Sequence, residues 1–213
     1  IETRGKCAHS ANPEVGKNAV YNMVNLINRI RNISLKEHKI LGKGILELTD
    51  IISSPYPGLS VVPNNCKATF DRRTLIGESK YSVLNQINKL IEEIKEFDAE
   101  FEAEIYYSRG AADCWTGNKI MADRFFPAWL YDEDNEFVQK IHKAFKSINL
   151  NSKISHYPFC TNGSHYAGEK EIPTIGFGPS DSNLAHVKDE YVEIEQLFKG
   201  YKGYYQILEK LIL

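Results

Sequence analysis

The chain lacks both the excess of basic residues and the long apolar runs that would suggest a nucleic-acid or membrane partner. Its 213 residues include 26 lysine and arginine against 28 aspartate and glutamate, a net charge of −2 at pH 7. A phosphate-binding surface needs a basic excess, so we expect no nucleic-acid partner. No apolar run approaches the length that crosses a bilayer, and we find no signal peptide, so we expect no membrane partner.

Cysteine is also scarce, and its spacing excludes two common uses. The four cysteines are scattered, and no two form a CxxC pair: Cys7, Cys66, Cys114 and Cys160. This spacing argues against a structural zinc knuckle and gives no disulfide framework. A reducing, cytoplasmic location is therefore expected.

Several catalytic motifs are absent as well. The sequence has no HxD pair after an apolar strand, no HExxH, no GxSxG elbow and no Walker loop. Its adjacent Glu-Glu pair, Glu92-Glu93, falls within a predicted amphipathic helix and is better explained there. The residues that are present must therefore indicate the function by other patterns.

The first 110 residues predict a complete α+β module. Apolar spacing and turn residues give the order strand, helix, strand, strand, helix, strand, at about 1–9, 16–30, 45–53, 66–74, 81–97 and 101–109. Asn12 is a possible cap for the first helix. This order predicts a ferredoxin-like βαββαβ domain over residues 1–113, with two helices on one face of an antiparallel sheet.

The remaining residues, 114–213, predict part of an α/β domain. The aromatic, turn-rich segment 109–134 has no clear period and is interpreted as a crossover between domains. Helices are predicted at 135–148 and 195–213, and strands at 153–160 and 171–179 flank a short helix from about Gly163. Two nearly apolar strands need neighbouring strands and covered faces, so this second part is a thin sheet by itself.

Two histidines are candidates for chemistry. His186 follows a predicted strand and a Gly-Pro turn, where a neutral imidazole can bind zinc, but a lone histidine is more often a surface residue bonded to a carboxylate. His9 follows the first strand and can donate a hydrogen bond to a developing oxyanion, or simply satisfy backbone groups in its turn.

Two polar groups are candidates for substrate contacts. Strand alternation places Asp71 and Arg73 on one face, where Arg73 can grip a carboxylate or pair with Asp71 or with a glutamate from 100–104. Residues Thr161, Asn162 and Gly163 lie where a strand turns into a helix, a place that suits either anion binding or ordinary N-capping.

Three stretches in order resemble one enzyme family. GKCAHSANPEVGKNAVYNM and SVVPNNCKATFDRRTLIGE resemble the lid, or dimerisation, domain of the dinuclear zinc amidohydrolases, which include aminoacylases, dipeptidases and succinyl-diaminopimelate desuccinylase. IPTIGFGPSDSNLAHVKDEYVEIEQL resembles that family's C-terminal segment. The stretches FFPAW and CTNGSHYAG look closest to the subgroup named for selenium metabolism.

The resemblance implies a role for each candidate. His186 would ligate zinc, and His9 would polarise the scissile carbonyl, in several family members within the partner subunit's active site. Arg73 would contact the substrate carboxylate, and Thr161, Asn162 and Gly163 would line the pocket. Ser60 stands where family members often carry asparagine, which weakens that one substrate contact.

The resemblance also implies what lies outside this sequence. In the family, the first half of an α/β zinc-exopeptidase-like catalytic domain precedes the lid and carries most zinc ligands and the general base. We therefore expect a homodimerising piece of a two-zinc amidohydrolase acting on a small carboxylate-bearing substrate, without hydrolase activity of its own. A dimerisation module, or a ferredoxin-like domain that binds small molecules, is the alternative.

Overall fold

A computed structural model of the chain describes residues 1–157 and 159–212. The chain forms two compact units, Ile1–Ala128 and Trp129–Leu213. This division lies later than the boundary predicted after residue 113. The difference arises because residues 109–123 form a hairpin of the first unit and are not a structureless crossover.

The first unit is built mainly of strands. In chain order its elements are β1 (Glu2–Arg4), β2 (Ala8–His9), α1 (Ala19–Ile30), β3 (Glu37–His38), β4 (Gly42–Lys43), β5 (Ile45–Ser54), β6 (Val61–Val62), β7 (Asn65–Arg73), α2 (Lys80–Phe97), β8 (Glu102–Glu104), β9 (Arg109–Asp113) and β10 (Lys119–Asp123). A short 3-10 turn at Pro13–Val15 precedes α1. The helices lie close to their predicted positions.

The main sheet has four antiparallel strands in the order β5-β7-β1-β8. The first strand in the sequence is therefore central, and β5 and β8 are the two edges. The β5–β7 ladder runs from Ile45 opposite Arg73 to Ser54 opposite Asn65, with a bulge between Leu48 and Asp50. Two smaller pairs, β2 with β6 and β3 with β4, lie outside this sheet.

The core of the first unit forms where α1 and α2 pack on the sheet. Apolar residues at helical spacing meet around Phe101, which is only 1% exposed. This cluster consists of Leu26, Ile30, Ile87, Ile91, Ile94 and Phe101. A second cluster joins Ala19 and Met23 of α1 to Cys66 and Ala68 of β7. The two clusters fix the position of β7, the strand that ends at Arg73.

The first long helix begins later than predicted, and a different asparagine caps it. Asn18 Oδ1 accepts hydrogen bonds from the backbone N–H groups of Val20 and Tyr21, at 2.9 and 3.4 Å. Asn12 makes no side-chain capping bond. The prediction of Asn12 as the cap was wrong because the turn at Pro13–Val15 separates it from the helix.

The segment 109–134 was predicted to be irregular, but it contains the β9–β10 hairpin. Arg109 pairs with Asp123, and Lys119 pairs with Asp113. Gly117 sits in the turn with φ +83, a conformation that glycine adopts without strain. Neither strand has the β-branched, alternating pattern that marks a strand in sequence, so the hairpin gave little signal.

Contacts within the first unit hold the hairpin in place. The rings of Tyr107 and Phe125 meet edge to face, with centroids 5.4 Å apart. The Lys80 ammonium lies 3.4 Å from the carboxylate of Asp123. The Thr74 hydroxyl donates to the carbonyl of Phe126 at 3.1 Å. These contacts join the hairpin to α2 and to the loop after β7.

The second unit contains no strand in its described residues, 129–157 and 159–212. Its elements are α3 (Glu136–Ser147), a π-helical segment at Ser164–Glu169, a 3-10 turn at Ser182–Leu184 and α4 (Ile194–Ile212). The strands predicted at 153–160 and 171–179 are therefore wrong for the described residues; Pro158 lies outside them. A strand needs a neighbour to satisfy its backbone groups, and neither segment pairs with another one here.

Aromatic packing takes the place of a sheet in this unit. The Phe177 ring lies 4.5 Å from the Phe145 ring of α3 and 5.2 Å from the Tyr204 ring of α4, centroid to centroid. Gly203 of α4 permits this contact, since a Cβ there would lie 2.5 Å from the Phe177 ring. The apolar stretch around Phe177 is thus held between the two helices.

No helix in the described part of the chain has both the length and the apolar character needed to cross a membrane.

Candidate active-site residues

His9 lies on β2, in a short pairing with β6 that fixes its backbone. His9 is paired with Val61, and the next backbone N–H, of Ser10, donates to the carbonyl of Ser60 at 2.9 Å. The Nδ1 atom of His9 accepts a hydrogen bond from the N–H of Ala11 at 3.1 Å. In a neutral imidazole the proton is then on Nε2. The exposed ring can therefore donate from Nε2 to an oxygen that gains negative charge.

A shallow groove of about 600 Å³ begins beside this histidine. Its lining comes from the turn after β2, the start of α1 and β6: Ser10, Pro13, Gly16, Lys17, Asn18, Tyr21, Asn22, Val61, Val62 and Pro63. The Lys17 ammonium is neutralised by Asp98, with N–O distances of 2.8 and 3.0 Å. The groove therefore has a mixed polar and apolar lining without a strong charge of either sign, and it has room for a small molecule.

Arg73 is the last residue of β7, and the structure realises one of the alternatives that the sequence left open. Its Nη2 donates to Asp71 Oδ2 at 2.9 Å, and both side chains are about half exposed. The predicted alternation is confirmed, since Asp71 and Arg73 share a face while Arg72 is buried on the other side. Arg73 has further guanidinium donors that can bind a carboxylate.

A largely buried ion pair lies on the opposite face of β7 from Arg73, and the sequence did not predict it. Arg72 pairs with Glu78, with 11% and 8% of the two side chains exposed. Glu78 also accepts the N–H of Leu75 at 2.8 Å, which closes the loop after β7. The Nε of Arg72 is buried without a hydrogen-bond partner. The adjacent arginines Arg72 and Arg73 could have indicated this pair. Neighbouring side chains of a strand point to opposite faces, so when Arg73 is exposed Arg72 faces the interior and needs a carboxylate partner.

Tyr107 lies near this ion pair. Burial raises the pKa of Tyr107 to about 12, while the positive charge of Arg72 opposes that rise. Its hydroxyl donates to the carbonyl of Lys80 at 3.3 Å. The phenol therefore stays neutral at physiological pH and serves as a hydrogen-bond donor inside the unit.

In the second unit, Thr161, Asn162 and Gly163 form a compact turn that leads into the π-helical segment. Thr161 Oγ1 accepts the N–H of Gly163 at 3.2 Å, and the carbonyl of Asn162 accepts the N–H of His165 at 3.0 Å. These backbone donors are used within the turn and are not free to bind an anion. The π-helical segment also has no side-chain cap, since Gly163 occupies the N-cap position, so neither of the two sequence interpretations describes the turn. The side chains of Thr161 and Asn162 are exposed, whereas Gly163 is buried.

His186 lies in the exposed loop that follows the 3-10 turn. Its φ of +64 is unusual for a residue with a side chain, and its N–H donates to Glu190 Oε2 at 2.9 Å. This bond fixes the backbone of His186 and does not involve its exposed imidazole. A groove of about 280 Å³ in the same unit is lined mainly by polar residues, among them Asp181 and Glu193, and His186 is not part of its lining.

Among residues 1–157 and 159–212, no three His, Cys, Asp or Glu side chains come together to hold a metal ion. A catalytic zinc site needs three protein ligands. The described residues therefore do not form a complete zinc centre. His186 is a candidate for one of the ligands that such a centre needs.

Comparison with known proteins connects these residues to one family. Residues 1–99 match the peptidase dimerisation domain, and residues 76–210 match the sequence pattern described as peptidase family M20/M25/M40. The chain belongs to peptidase family M20/M25/M40. Members of this family are metal-dependent hydrolases, typically with zinc. The two matches together include all six candidate residues.

Curated relatives of this M20 chain extend well beyond it. An uncharacterised Escherichia coli protein, YgeY, is 30% identical over 194 residues, which are 89% of this chain and 46% of that protein. Acetylornithine deacetylase of Myxococcus xanthus is 24% identical over 204 residues, 93% of this chain and 48% of the relative. The chain therefore spans about half the length of the curated relatives that it matches.

Solved structures show the same mixed α/β fold. Aminopeptidase PepT from Bacillus cereus superimposes with a TM-score of 0.68 and 16% identity, over 98% of this chain and 50% of that one. At this identity the likeness concerns the fold. None of these comparisons points to the selenium-metabolism subgroup, which remains a hypothesis from the FFPAW and CTNGSHYAG stretches.

Proposed function

We propose that this chain is part of a zinc-dependent amidohydrolase that cleaves an amide bond in a small, carboxylate-bearing substrate. The observation that carries the proposal is the pair of family matches, which run in order along residues 1–99 and 76–210. The Myxococcus xanthus relative is named for acetylornithine, an acylated amino acid with an amide and a carboxylate. That substrate has the chemistry proposed here.

In this proposal the first unit supplies His9 and Arg73. His9 polarises the scissile carbonyl, a role supported by the Nε2 proton that its bond from Ala11 implies. Arg73 binds the substrate carboxylate, exchanging its bond to Asp71 for a two-pronged contact. Both residues stand on strands whose backbones are fixed by pairing, as a precise site requires.

The second unit supplies the remaining candidates. Thr161, Asn162 and Gly163 line the substrate pocket, and His186 ligates one zinc ion. A zinc ion held in the complete site would supply Lewis-acid chemistry. Because the described residues do not form a complete metal centre, we expect this chain alone to have no hydrolase activity.

We further propose that the first unit is a ferredoxin-like lid that forms a homodimer in the cytoplasm. The four strands of its main sheet lie in the order β5-β7-β1-β8. Numbered by their order in the chain, this is 2-3-1-4, which supports the assignment. The match of residues 1–99 to a dimerisation domain supports the homodimer. The same match favours the alternative function, a module that serves assembly alone.

The proposal is tested by binding and turnover with simple probes. N-acetylglycine and glycylglycine, each with and without added Zn²⁺, should give no turnover above the enzyme-free rate. N-acetylglycine should nevertheless perturb the NMR resonances around Arg73. Arg73→Ala should abolish this perturbation, whereas Arg109→Ala, an exposed arginine also paired with an aspartate, should not.

Two results would contradict the proposal in different ways. Zinc-dependent hydrolysis by the chain alone would disprove its inactivity. If the perturbation were equally strong in Arg73→Ala, Arg73 would not be the carboxylate contact.

A further inference from the structure

Gly163 is in direct contact with the indole ring of Trp129. A Cβ built on Gly163 would lie 2.8 Å from Trp129 Cζ2 and 3.1 Å from Cε2. Real Cβ atoms almost never approach a ring so closely, so position 163 admits no larger residue while the ring stays in place. The glycine is therefore required by packing, since its backbone φ is an ordinary −54.

The indole ring is itself held by a chain of aromatic contacts. Trp129 meets Tyr131 edge to face at 5.7 Å, and Tyr131 meets Phe137 of α3 in the same way at 6.4 Å. Such pairs add stability beyond the area that they bury. Through these contacts the position of Trp129 is tied to α3, the first helix of this unit.

Tyr131 also fixes the segment after the π-helical residues. Its hydroxyl accepts the N–H of Thr174 at 3.2 Å and donates to the carbonyl of Ile172 at 3.5 Å. The backbone N–H of Ile172 in turn donates to the carbonyl of Tyr166 at 2.8 Å. The 161–163 turn, the π-helical residues and the 172–174 segment thus share one aromatic support.

We infer that Trp129 is a positioning residue, whose indole ring holds the Thr161–Gly163 turn in the conformation that it presents to a ligand. This inference rests on the proposed function, in which the turn lines the substrate pocket. The ring touches Gly163 and leaves the side chains of Thr161 and Asn162 exposed for contact. A shift of the ring moves the backbone that carries those side chains.

The chain offers a direct optical test, because it contains only two tryptophans. Trp115, at the hairpin turn of the first unit, is 97% exposed, so Trp115→Phe leaves Trp129 as the single reporter. In that background, Gly163→Ala should displace the ring, shift its emission to longer wavelength and increase quenching by acrylamide. Gly178→Ala is the matched control, since its added Cβ meets nothing closer than Tyr204 Oη at 3.9 Å.

A second measurement tests the positioning itself. The Cα protons of Gly163 should carry a ring-current shift that Trp129→Phe retains in part and Trp129→Leu removes. Binding of N-acetylglycine should be weakened at least about tenfold by Trp129→Leu, since misplaced contact groups lose affinity steeply, and largely restored in Trp129→Phe. Urea unfolding of both variants identifies a folding defect, because such a defect lowers the unfolding midpoint together with the affinity.

The outcomes separate the inference from the proposed function. Unchanged Trp129 emission in Gly163→Ala, or equal affinity for N-acetylglycine in the parent chain and Trp129→Leu, overturns the inference. Failure of the parent chain to bind N-acetylglycine at all counts against the substrate role of the turn, and so against the proposed function.

Discussion

At the residue scale, two neighbouring arginines have opposite environments. Arg72 is buried with Glu78, and Arg73 is half exposed beside Asp71. The same pairing of arginine with a carboxylate has different consequences in the two places. In water the pair adds little to stability, whereas a buried charge that loses its partner is strongly unfavourable.

The two arginines therefore give a matched prediction. Arg72→Met should lower the free energy of unfolding by about 3 to 5 kcal/mol, because Glu78 keeps a buried, unpaired charge. Arg73→Met should lower it by less than about 1 kcal/mol. Urea unfolding followed by circular dichroism measures both.

The double variant Arg72→Met with Glu78→Leu should regain most of the lost stability, because no buried charge remains. Equal losses in the two single variants would show that the Arg72–Glu78 pair is not buried in solution.

Tyr107 gives a prediction of pH dependence. Burial raises its folded pKa from the ordinary 10.0 to about 12. Below pH 10 the Tyr107 phenol is protonated in both the folded and the unfolded state, so its contribution to the free energy of unfolding is fully present there. Between pH 10 and 12 only the unfolded phenol ionises, so stability should fall across this window. Tyr107→Phe should show a smaller fall over the same range.

The measurement is the urea midpoint of both proteins at several pH values in this window. Parallel curves for the parent and Tyr107→Phe would contradict the raised pKa. Tyr106 stays in both proteins and serves as the internal control, since its pKa is also raised by burial.

At the element scale, the start of α1 depends on one side chain. Asn18 caps the helix through Val20 and Tyr21, while Asn12 makes no capping bond. Asn18→Ala should cost about 1 kcal/mol of stability, the usual cost of losing a cap. Asn12→Ala should cost nearly nothing. Thermal unfolding of both variants tests this difference, and a larger loss for Asn12→Ala would reverse the assignment.

The elements also show where sequence patterns were sufficient. Helices α1, α2, α3 and α4 have strong periodicity, and each lies within a few residues of its predicted range. The β9–β10 hairpin was missed because its strands lack β-branched alternation. The strands at 153–160 and 171–179 were wrong because an apolar run predicts burial, and only a paired neighbour makes it a strand.

The candidate site residues were likewise only partly predictable from the sequence. The sequence indicated His9, Arg73 and the 161–163 turn by local patterns, but it did not reveal what holds them. Ala11 at the ring of His9, Asp71 beside Arg73 and Trp129 under Gly163 emerged only from the structure. Such partners are set by packing, which one sequence does not show.

At the scale of the whole molecule, β5 is an edge of the main sheet along its full length. It exposes Ile45, Ile51 and Ile52, and an open edge with apolar side chains is a ready site for pairing. We expect the chain to sediment as a dimer, joined through β5 across a two-fold axis. Ile52→Lys should shift it to monomer, because a charged edge opposes pairing.

Ile120→Lys is the control for this prediction, since Ile120 is equally exposed but lies on β10 of the hairpin. A strict monomer of the unmodified chain at high concentration would contradict the dimer. A dimer that survives Ile52→Lys would place the interface elsewhere.

The sequence by itself determined the four long helices, the central strands of the first unit and the family, because periodicity and short motifs are local properties. Tertiary structure alone decided that the described residues of the second unit form no strand, which arginine is buried and which asparagine caps α1. The physical reason is that pairing, desolvation and close packing depend on neighbours distant in the chain. Local sequence patterns indicate which residues can have a function, and the tertiary structure determines which residues they contact.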